Sequence, residues 1–406
     1  MRFQILLLLI LALAACTNEA PEKKGDVKQD TLTQAVKTDS VKTDSVKPEP
    51  AEKSDYIAFN PDNYFNNVTA VISGLKGQAN DLNYLFDTIA WKEHVKFIDQ
   101  SWTKLEKKRL VAMRDWASQE FAQPNANSKL VFYPFSGPDF LTAHAFFPRA
   151  DKYIMLGLEP VGKLPDLKKF KKGEHSDYAE DFKRSLGDIF EKSYFITRKM
   201  LQDFGSQKVN GLLPVLTFFI RKTGHEISNI QYIVRYEQDS IVEVPYDFKD
   251  PEKKPFGVRV DYVQEGKNKS VYYFRYDVSD KKFNDTCVFY NYLAKNKNYT
   301  TYIKSASYLL HSSFMSNMRN MILDNSSYVI QDDTGIPYKF FTENNNWTMK
   351  LYGKYTRPVS DFPYLKMQEP LQAAFEKDSA NIGKLPFHLG YHWGSKKDVI
   401  IFATKK

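Results

Sequence analysis

A mixed fold, α/β or α+β, in one large domain is predicted for residues 56–406. Three features of the sequence carry the prediction. A strand–turn–helix–strand run lies near residues 130–160, a β-hairpin near 257–278, and several long segments repeat apolar residues at helical spacing. The chain of 406 residues also holds 5 Trp, 25 Tyr and 30 Phe, and 42% of it is hydrophobic. That is enough apolar area for a real core, and it excludes wholesale disorder.

The elements follow in chain order. Residues 81–123 read as two or more helices. Leu82, Leu85, Phe86 and Ile89 share one face, and Ser101 is a possible cap for a second helix that buries Trp102, Leu105, Met113 and Trp116. Lys104, Lys107 and Lys108 fall outside that stripe. Arg109 falls inside it and has to snorkel outward or find a partner. Leu130–Phe135 is β-branched and aromatic, as a strand requires. The turn Ser136-Gly137-Pro138-Asp139 leads into a short helix, Phe140–Phe147, and then into a buried strand, Tyr153–Leu158. Such a run is the pattern of a parallel strand pair.

A long helix is expected over Ser176–Phe204, with Phe182, Leu186, Ile189, Phe190, Ile196, Met200 and Leu201 on its apolar side, and a buried helical piece over Leu212–Arg221. Strands are expected at Ile227–Tyr236, Val258–Val263 and Ser270–Val278, the last two joined across Glu265–Lys269. Lys304–Leu323 reads as a helix through Ala306, Leu309, Leu310, Phe314, Met318 and Ile322. Short strands at Tyr328–Gln331, Trp347–Tyr352 and Val399–Ala403 end the chain. Composition does not break after residue 56, so a single domain is expected, with a boundary near 205–225 as the alternative.

The first 55 residues are of a different kind. Arg2 precedes an uninterrupted apolar run, Ile5–Leu13, shorter than the roughly twenty residues that span a bilayer core. The run ends in Leu13-Ala14-Ala15-Cys16, which resembles the lipobox of bacterial lipoproteins. The resemblance implies a signal peptide over 1–15, cleavage before Cys16, and acylation of that cysteine with lasting attachment to a lipid membrane. Thr17 follows in place of Asp, and by the enterobacterial sorting rule this implies the outer membrane. It leaves open whether the domain faces the periplasm or the cell surface.

Thr17–Asp55 has no aromatic residue and is dominated by Lys, Asp, Glu, Thr, Ser and Pro. It lacks the apolar surface to offset chain entropy, so 16–55 is expected to be a lipidated, flexible tether. Within it Val36–Ser40 is repeated as Val41–Ser45. Thr31, Ser40 and Ser45 stand in Asp-Ser/Thr-apolar triplets that resemble the O-glycosylation signal of Bacteroidota.

The leader carries +1 and the tether −2, so the globular part carries +9 of the chain's net +8. Its lysines are scattered in pairs, without the basic helices or stacking motifs of nucleic-acid binders, so no nucleic-acid partner is expected. Two cysteines exclude a disulfide scaffold and a four-thiolate zinc site. With Cys16 acylated, Cys287 is expected to be a buried lone thiol.

Several constellations bear chemistry. Ser136 and Asp139 have capping-box spacing around Gly137, before a helix N-terminus. Glu159, 22 residues past Gly137, closes a unit that resembles the first βαβ of Rossmann-like nucleotide or methyl-donor sites, although one glycine replaces the Gly-x-Gly-x-x-Gly run. No bound cofactor is expected in an exported chain. Ser136, Asp139 and His144 supply the residue types of a hydrolase triad but not the nucleophile elbow. Asp333-Thr334-Gly335 matches the aspartic-protease tripeptide, yet the chain has no second copy to share the proton. His388 and His392 have the spacing of helical metal ligands, with His225-Glu226 or Asp332-Asp333 as further donors, but Pro386, Gly390 and Gly394 argue against a helix there.

The function expected is non-catalytic binding of an envelope glycan or a protein partner. The alternative is a hydrolase with a site near Ser136, Asp139 and Glu159, joined by His225 and by Asp332 or Asp333. A third reading is an inherited nucleotide-type fold that no longer binds its cofactor.

Overall fold

The computed structural model describes residues 64–76, 81–195, 200, 209–235, 241–250, 252–343, 345–394 and 397–406. The chain divides into Met1–Tyr56 and Ile57–Lys406, and the fold below belongs to the second unit. The leader, Cys16, Thr31, Ser40 and Ser45 lie outside the described residues.

The structure is the mixed α/β fold expected. Its strands are β1 (Leu130–Tyr133), β2 (Lys152–Gly157), β3 (Glu226–Arg235), β4 (Ile241–Pro245), β5 (Gly257–Gln264), β6 (Lys267–Arg275), β7 (Tyr299–Ile303), β8 (Ser326–Gln331), β9 (Trp347–Gly353) and β10 (Val399–Lys405). They form one sheet in the order β4-β3-β5-β6-β2-β1-β7-β8-β10-β9. The central five, β6-β2-β1-β7-β8, are parallel. Antiparallel strands extend the sheet on both sides. From β1 the chain moves outward through β2 to β6, then returns to the other side of β1 with β7 and β8. This is the order of a doubly wound sheet, and β1/β7 is its topological switch point.

The helices are α1 (Tyr64–Ile72), α2 (Ile89–Leu105), α3 (Val111–Glu120), α4 (Ala122–Asn127), α5 (Phe140–Phe146), α6 (Glu174–Lys192), α7 (Leu213–Lys222), α8 (Val288–Ala294), α9 (Ser316–Asn325), α10 (Lys339–Thr342) and α11 (Glu369–Lys377). They cover both faces of the sheet. Alternation along the strands divides the core: Val131, Tyr133, Tyr153 and Met155 join Trp91, Phe140, Phe146, Phe182 and Phe218 on one face. Phe132, Ile154 and Leu156 point the other way, to Phe289, Ile303, Met318 and Ile322. A smaller cluster of Tyr355, Leu371 and Ile401 seats α11 at the β9 end.

The predicted βαβ unit is present as β1-α5-β2. The hairpin is present too, but its loop is tighter than the sequence implied. Only Glu265 (φ 52°) and Gly266 (φ 73°) separate β5 from β6. Two left-handed residues in a two-residue loop match the right-handed twist of the strands.

Four expectations are corrected. Ser101 lies inside α2, and Thr88 is its cap, accepting from the Trp91 N–H. Helices α2 and α3 are continuous through a π turn, Glu106–Leu110, which turns Arg109 inward to donate to the Ile189 carbonyl at 3.2 Å. Helix α6 stops at Lys192, where Ser193 turns left-handed, instead of running to Phe204. Lys304–Leu323 is not one helix. Ser305, Ser307 and Tyr308 all have positive φ, and only α9 is regular. Cys287 is half-buried, with Tyr276 Oη 2.7 Å from its sulfur.

Candidate functional site

Doubly wound sheets bind ligands outside the carboxyl ends of their strands, at the switch point. Four strand ends meet there. The turn after β1 runs through Phe135 (φ 60°) and Gly137 (φ 53°) to Asp139, β2 ends at Glu159, β7 at Lys304, and β8 at Asp332-Asp333-Thr334. Five of the six predicted catalytic candidates, Ser136, Asp139, Glu159, Asp332 and Asp333, therefore come together along one edge, all buried. The sixth, His225, does not.

The bonds they make are structural. Ser136 donates its N–H to the Leu156 carbonyl at 2.8 Å, and its hydroxyl faces the Gly137 and Leu156 carbonyls at 3.0 and 3.2 Å. The cap of α5 is Asp139, not Ser136: its carboxylate accepts from the Thr142 N–H and hydroxyl and from the Tyr133 hydroxyl. Asp139 also pairs with the Lys304 ammonium at 2.5 Å, and Lys304 donates to the Ser193 carbonyl at 2.7 Å. Burial pulls the Lys304 pKa down, and the Asp139 charge opposes that pull.

Glu159 and Gly137 are neighbours, since a Cβ on Gly137 would lie 3.7 Å from Glu159 Oε2. That oxygen accepts from the Leu158 N–H at 3.1 Å and the Tyr273 hydroxyl at 3.2 Å. It also lies 2.3 Å from where a Cβ on Gly157 would sit, so Gly157 is required by close approach.

Asp332 organises the strained loop after β7. It accepts from the Ser305 N–H at 2.8 Å and from Thr334, whose hydroxyl accepts from the Ala306 N–H. Burial and the adjacent Asp333 raise its pKa to about 6. Asp333 accepts from the Tyr308 hydroxyl at 2.7 Å. Its other oxygen is 3.3 Å from His392 Nε2, an ion-pair distance without hydrogen-bond alignment. Burial pulls the His392 pKa down, and Asp333, Asp332 and Asp398 more than reverse this, so the imidazole is held above its ordinary value. The protease-like tripeptide is thus a turn, as Asp-Thr-Gly-Ile-Pro suggests.

The remaining candidates go elsewhere. His144 and His225 face each other, Nε2 to Nε2, at 2.9 Å beside Phe140 and Tyr262. Burial, with Lys269 nearby, lowers them to about 3 and about 4. Ser136, Asp139 and His144 therefore form no triad. His388 pairs with Asp398 at 2.6 Å, while His392 turns to Asp333. Among the described residues no group of three or more His, Cys, Asp or Glu is placed to hold a metal. A surface depression of about 340 Å³, lined by Glu120, Gln123, Met349, Lys350 and Phe402, lies on β9/β10, away from the switch point.

Rings lie above the acidic edge. Tyr391 carries its hydroxyl to Ser307 at 2.8 Å and packs on Tyr194 (4.6 Å between centroids) and Phe362 (5.6 Å). Phe362 in turn meets Tyr364 and Tyr308. Tyr364 is 52% exposed, and Trp393, two residues past Tyr391, is 36% exposed. Sequence reasoning did not single out Tyr194, Phe362, Tyr364 or Lys304. Lys304 was hidden because it reads as the start of a helix.

No family model matches the chain, and no curated protein or solved structure gives a significant match.

Proposed function

We propose that the protein is a bacterial envelope lipoprotein, anchored through Cys16, whose domain binds an envelope glycan without catalysis. The carrying observation is the part-exposed ring cluster Tyr194-Phe362-Tyr364-Tyr391 at the switch-point edge, with Trp393 exposed nearby. Rings that present both a face and a hydroxyl favour sugars, whose C–H faces stack and whose hydroxyls hydrogen-bond. The polar groups that a hydrolase would need beneath them are engaged in holding backbone and loops. Two measurements test the reading. Titration calorimetry against envelope glycan fractions should show binding that falls at least fivefold in Tyr364→Ala and Trp393→Ala, and retention in both variants would count against it. For the anchor, Cys16→Ser should move the protein from the membrane to the soluble fraction. The outer membrane is the proposed address.

One observation favours the alternative, a hydrolase. Three non-glycine residues with positive φ, Ser305, Ser307 and Tyr308, sit beside the Asp333–His392 pair, and such strain gathers at catalytic sites. The Ser305 hydroxyl is buried without a hydrogen-bond partner among the described residues. A fluorophosphonate probe separates the readings: labelling at Ser305 that is lost in His392→Ala would establish the enzyme, and no labelling would remove it.

A further inference from the structure

Strand alternation at the β9 end of the sheet leaves an opening in the helical cover. In the β9/β10 ladder Lys350 stands opposite Phe402 and Thr348 opposite Thr404, and opposite residues share a face. Tyr352, two residues past Lys350, shares it too. The corner between α3 and α4 rests on this face: Trp116 packs on Tyr352 at 4.8 Å between centroids, and Phe121 on Phe402 at 5.3 Å. It leaves Thr348 exposed and Thr404 half-buried. The gap is the surface depression of about 340 Å³, with Gln119, Glu120, Ala122 and Gln123 of the corner on one side and the two strands on the other. That volume falls at the lower end of small-ligand clefts, about 300–1,000 Å³.

The lining is neutral overall and keeps hydrogen-bonding capacity. The Lys350 ammonium and the Tyr352 hydroxyl both donate to Glu120 Oε2 at 2.5 Å, so the two charges cancel within the wall. Glu120 Oε1 and the side chains of Gln119, Gln123, Thr348 and Thr404 make no hydrogen bond to another described residue. The switch-point edge differs, because Asp139, Glu159 and Asp332 there commit their oxygens to hydroxyls and backbone N–H groups. Amides and hydroxyls both donate and accept, which is what an alcohol requires of its partners. The Phe402 ring and the Ala122 methyl supply apolar lining, suited to the C–H face of a pyranose. An ionic ligand would have to open the Glu120–Lys350 pair or lie there uncompensated.

We infer that the β9/β10 depression is a second saccharide subsite, which takes a neutral sugar unit of the glycan proposed above and so rests on that reading. Sugar hydroxyls bond to the Gln119 and Gln123 amides and to the Thr348 and Thr404 hydroxyls. Glu120 Oε1 accepts from a further hydroxyl, and the pyranose C–H face lies on Phe402 and Ala122. Because the wall's charges pair with each other, affinity should change by less than about twofold between low and high salt. Loss of one of the hydrogen bonds should weaken binding about fivefold.

The test is calorimetry on the full chain in a sugar-free detergent, with two neutral probes, cellohexaose and N-acetylglucosamine hexamer. Binding of either is expected to weaken about fivefold in Gln123→Ala and in Thr348→Val, and more in Gln123→Trp, which fills the depression. Gln123 and Thr348 are exposed, so urea unfolding of these variants should stay close to wild type. If the three variants bind as wild type while Tyr364→Ala weakens binding, the subsite is overturned and the ring reading stands. If the three lose affinity while Tyr364→Ala and Trp393→Ala do not, the subsite stands and the ring reading falls. Affinity that drops steeply with salt overturns a neutral subsite. If neither hexamer binds, or if no variant matters, both fall.

Discussion

Replacing Lys304 with Met tests whether the switch-point interior is held by a buried ion pair. Lys304 and Asp139 are each about 2% exposed at the side chain, and the ammonium has two acceptors, Asp139 and the Ser193 carbonyl. Removing the ammonium leaves the Asp139 charge buried with only neutral donors, the Tyr133 hydroxyl and the Thr142 N–H and hydroxyl. Breaking one side of such a pair costs about 3–5 kcal/mol. Asp139→Asn keeps an oxygen for the Thr142 N–H, so the cap contribution of about 1 kcal/mol persists. It leaves Lys304 unpaired instead, at a similar cost of about 3–5 kcal/mol. In the double variant neither charge remains. Its cost should shrink to the lost hydrogen bonds, about 1–3 kcal/mol. Urea unfolding at pH 7 of the wild type, both single variants and the double gives a closed cycle. The expected coupling is at least about 3 kcal/mol, with the double variant more stable than the sum of the singles. Additive single effects would show that the two groups do not depend on each other and would refute the reasoning.

Three more predictions follow from local geometry. Gly157→Ala should destabilise severely, because its Cβ would meet Glu159 Oε2 at 2.3 Å and the Tyr273 hydroxyl at 2.7 Å, whereas Gly187→Ala inside α6, with nothing within 4 Å, should add about 0.5–1 kcal/mol in urea unfolding. Gly390→Ala places a Cβ 2.8 Å from Asp332 Oδ2 at φ 62°; the strain of about 1–3 kcal/mol should appear in unfolding, and the displaced Tyr391 should weaken ligand binding. His144 and His225 have folded pKa values of about 3 and about 4, below the unfolded 6.5, so the unfolded chain takes up protons first and stability falls as pH drops from 6.5 toward 4. Asp332, raised to about 6, pushes the other way as pH falls through 6, whereas His392, raised above 6.5, adds stability that is already complete below 6.5 and is lost only at higher pH, so the contribution of the pair is read as the flattening of the pH profile in His144→Leu/His225→Leu.

The β1-α5-β2 unit was legible because burial on both faces leaves a strong pattern. Tyr153 and Met155 pack on one side, Ile154 and Leu156 on the other, and the strand reads as a continuous apolar run. The closeness of Gly137 and Glu159 was legible for the same reason, since parallel neighbours bring their ends together. The loop after β7 was not. Ala306, Leu309 and Leu310 have helical spacing, yet the N–H groups of Ser305 and Ala306 bond to Asp332 and Thr334, contacts 27 and 28 residues away. A long-range partner for those donors outweighs local helix propensity, and no window of sequence contains it. The end of α6 was missed similarly: Ser193 is left-handed without being glycine, and its carbonyl is held by Lys304. The ring cluster draws on residues 194, 308, 362, 364 and 391, so only the folded chain assembles it.

The same contacts decide where a ligand can sit. The floor of the switch-point crevice is occupied by the Lys304–Asp139 pair, and Met200 lies 3.2 Å from where a Cβ on Gly137 would be. A ligand entering there must strip the ammonium of both acceptors, a loss of about 3–5 kcal/mol before any new contact forms. A ligand on the outer rings displaces only water. The two levels should therefore respond to different substitutions. Lys304→Met should lower the free energy of unfolding while leaving glycan affinity within about twofold, because the ammonium bonds to Asp139 and to the Ser193 carbonyl and not to a hydroxyl of the ring cluster. Tyr364→Ala, at a half-exposed ring, should do the reverse, with stability changed by less than about 0.5 kcal/mol and affinity falling at least fivefold. If Lys304→Met abolished binding at unchanged stability, the ligand would have to reach the strand ends, and the site would belong in the crevice rather than on the rings.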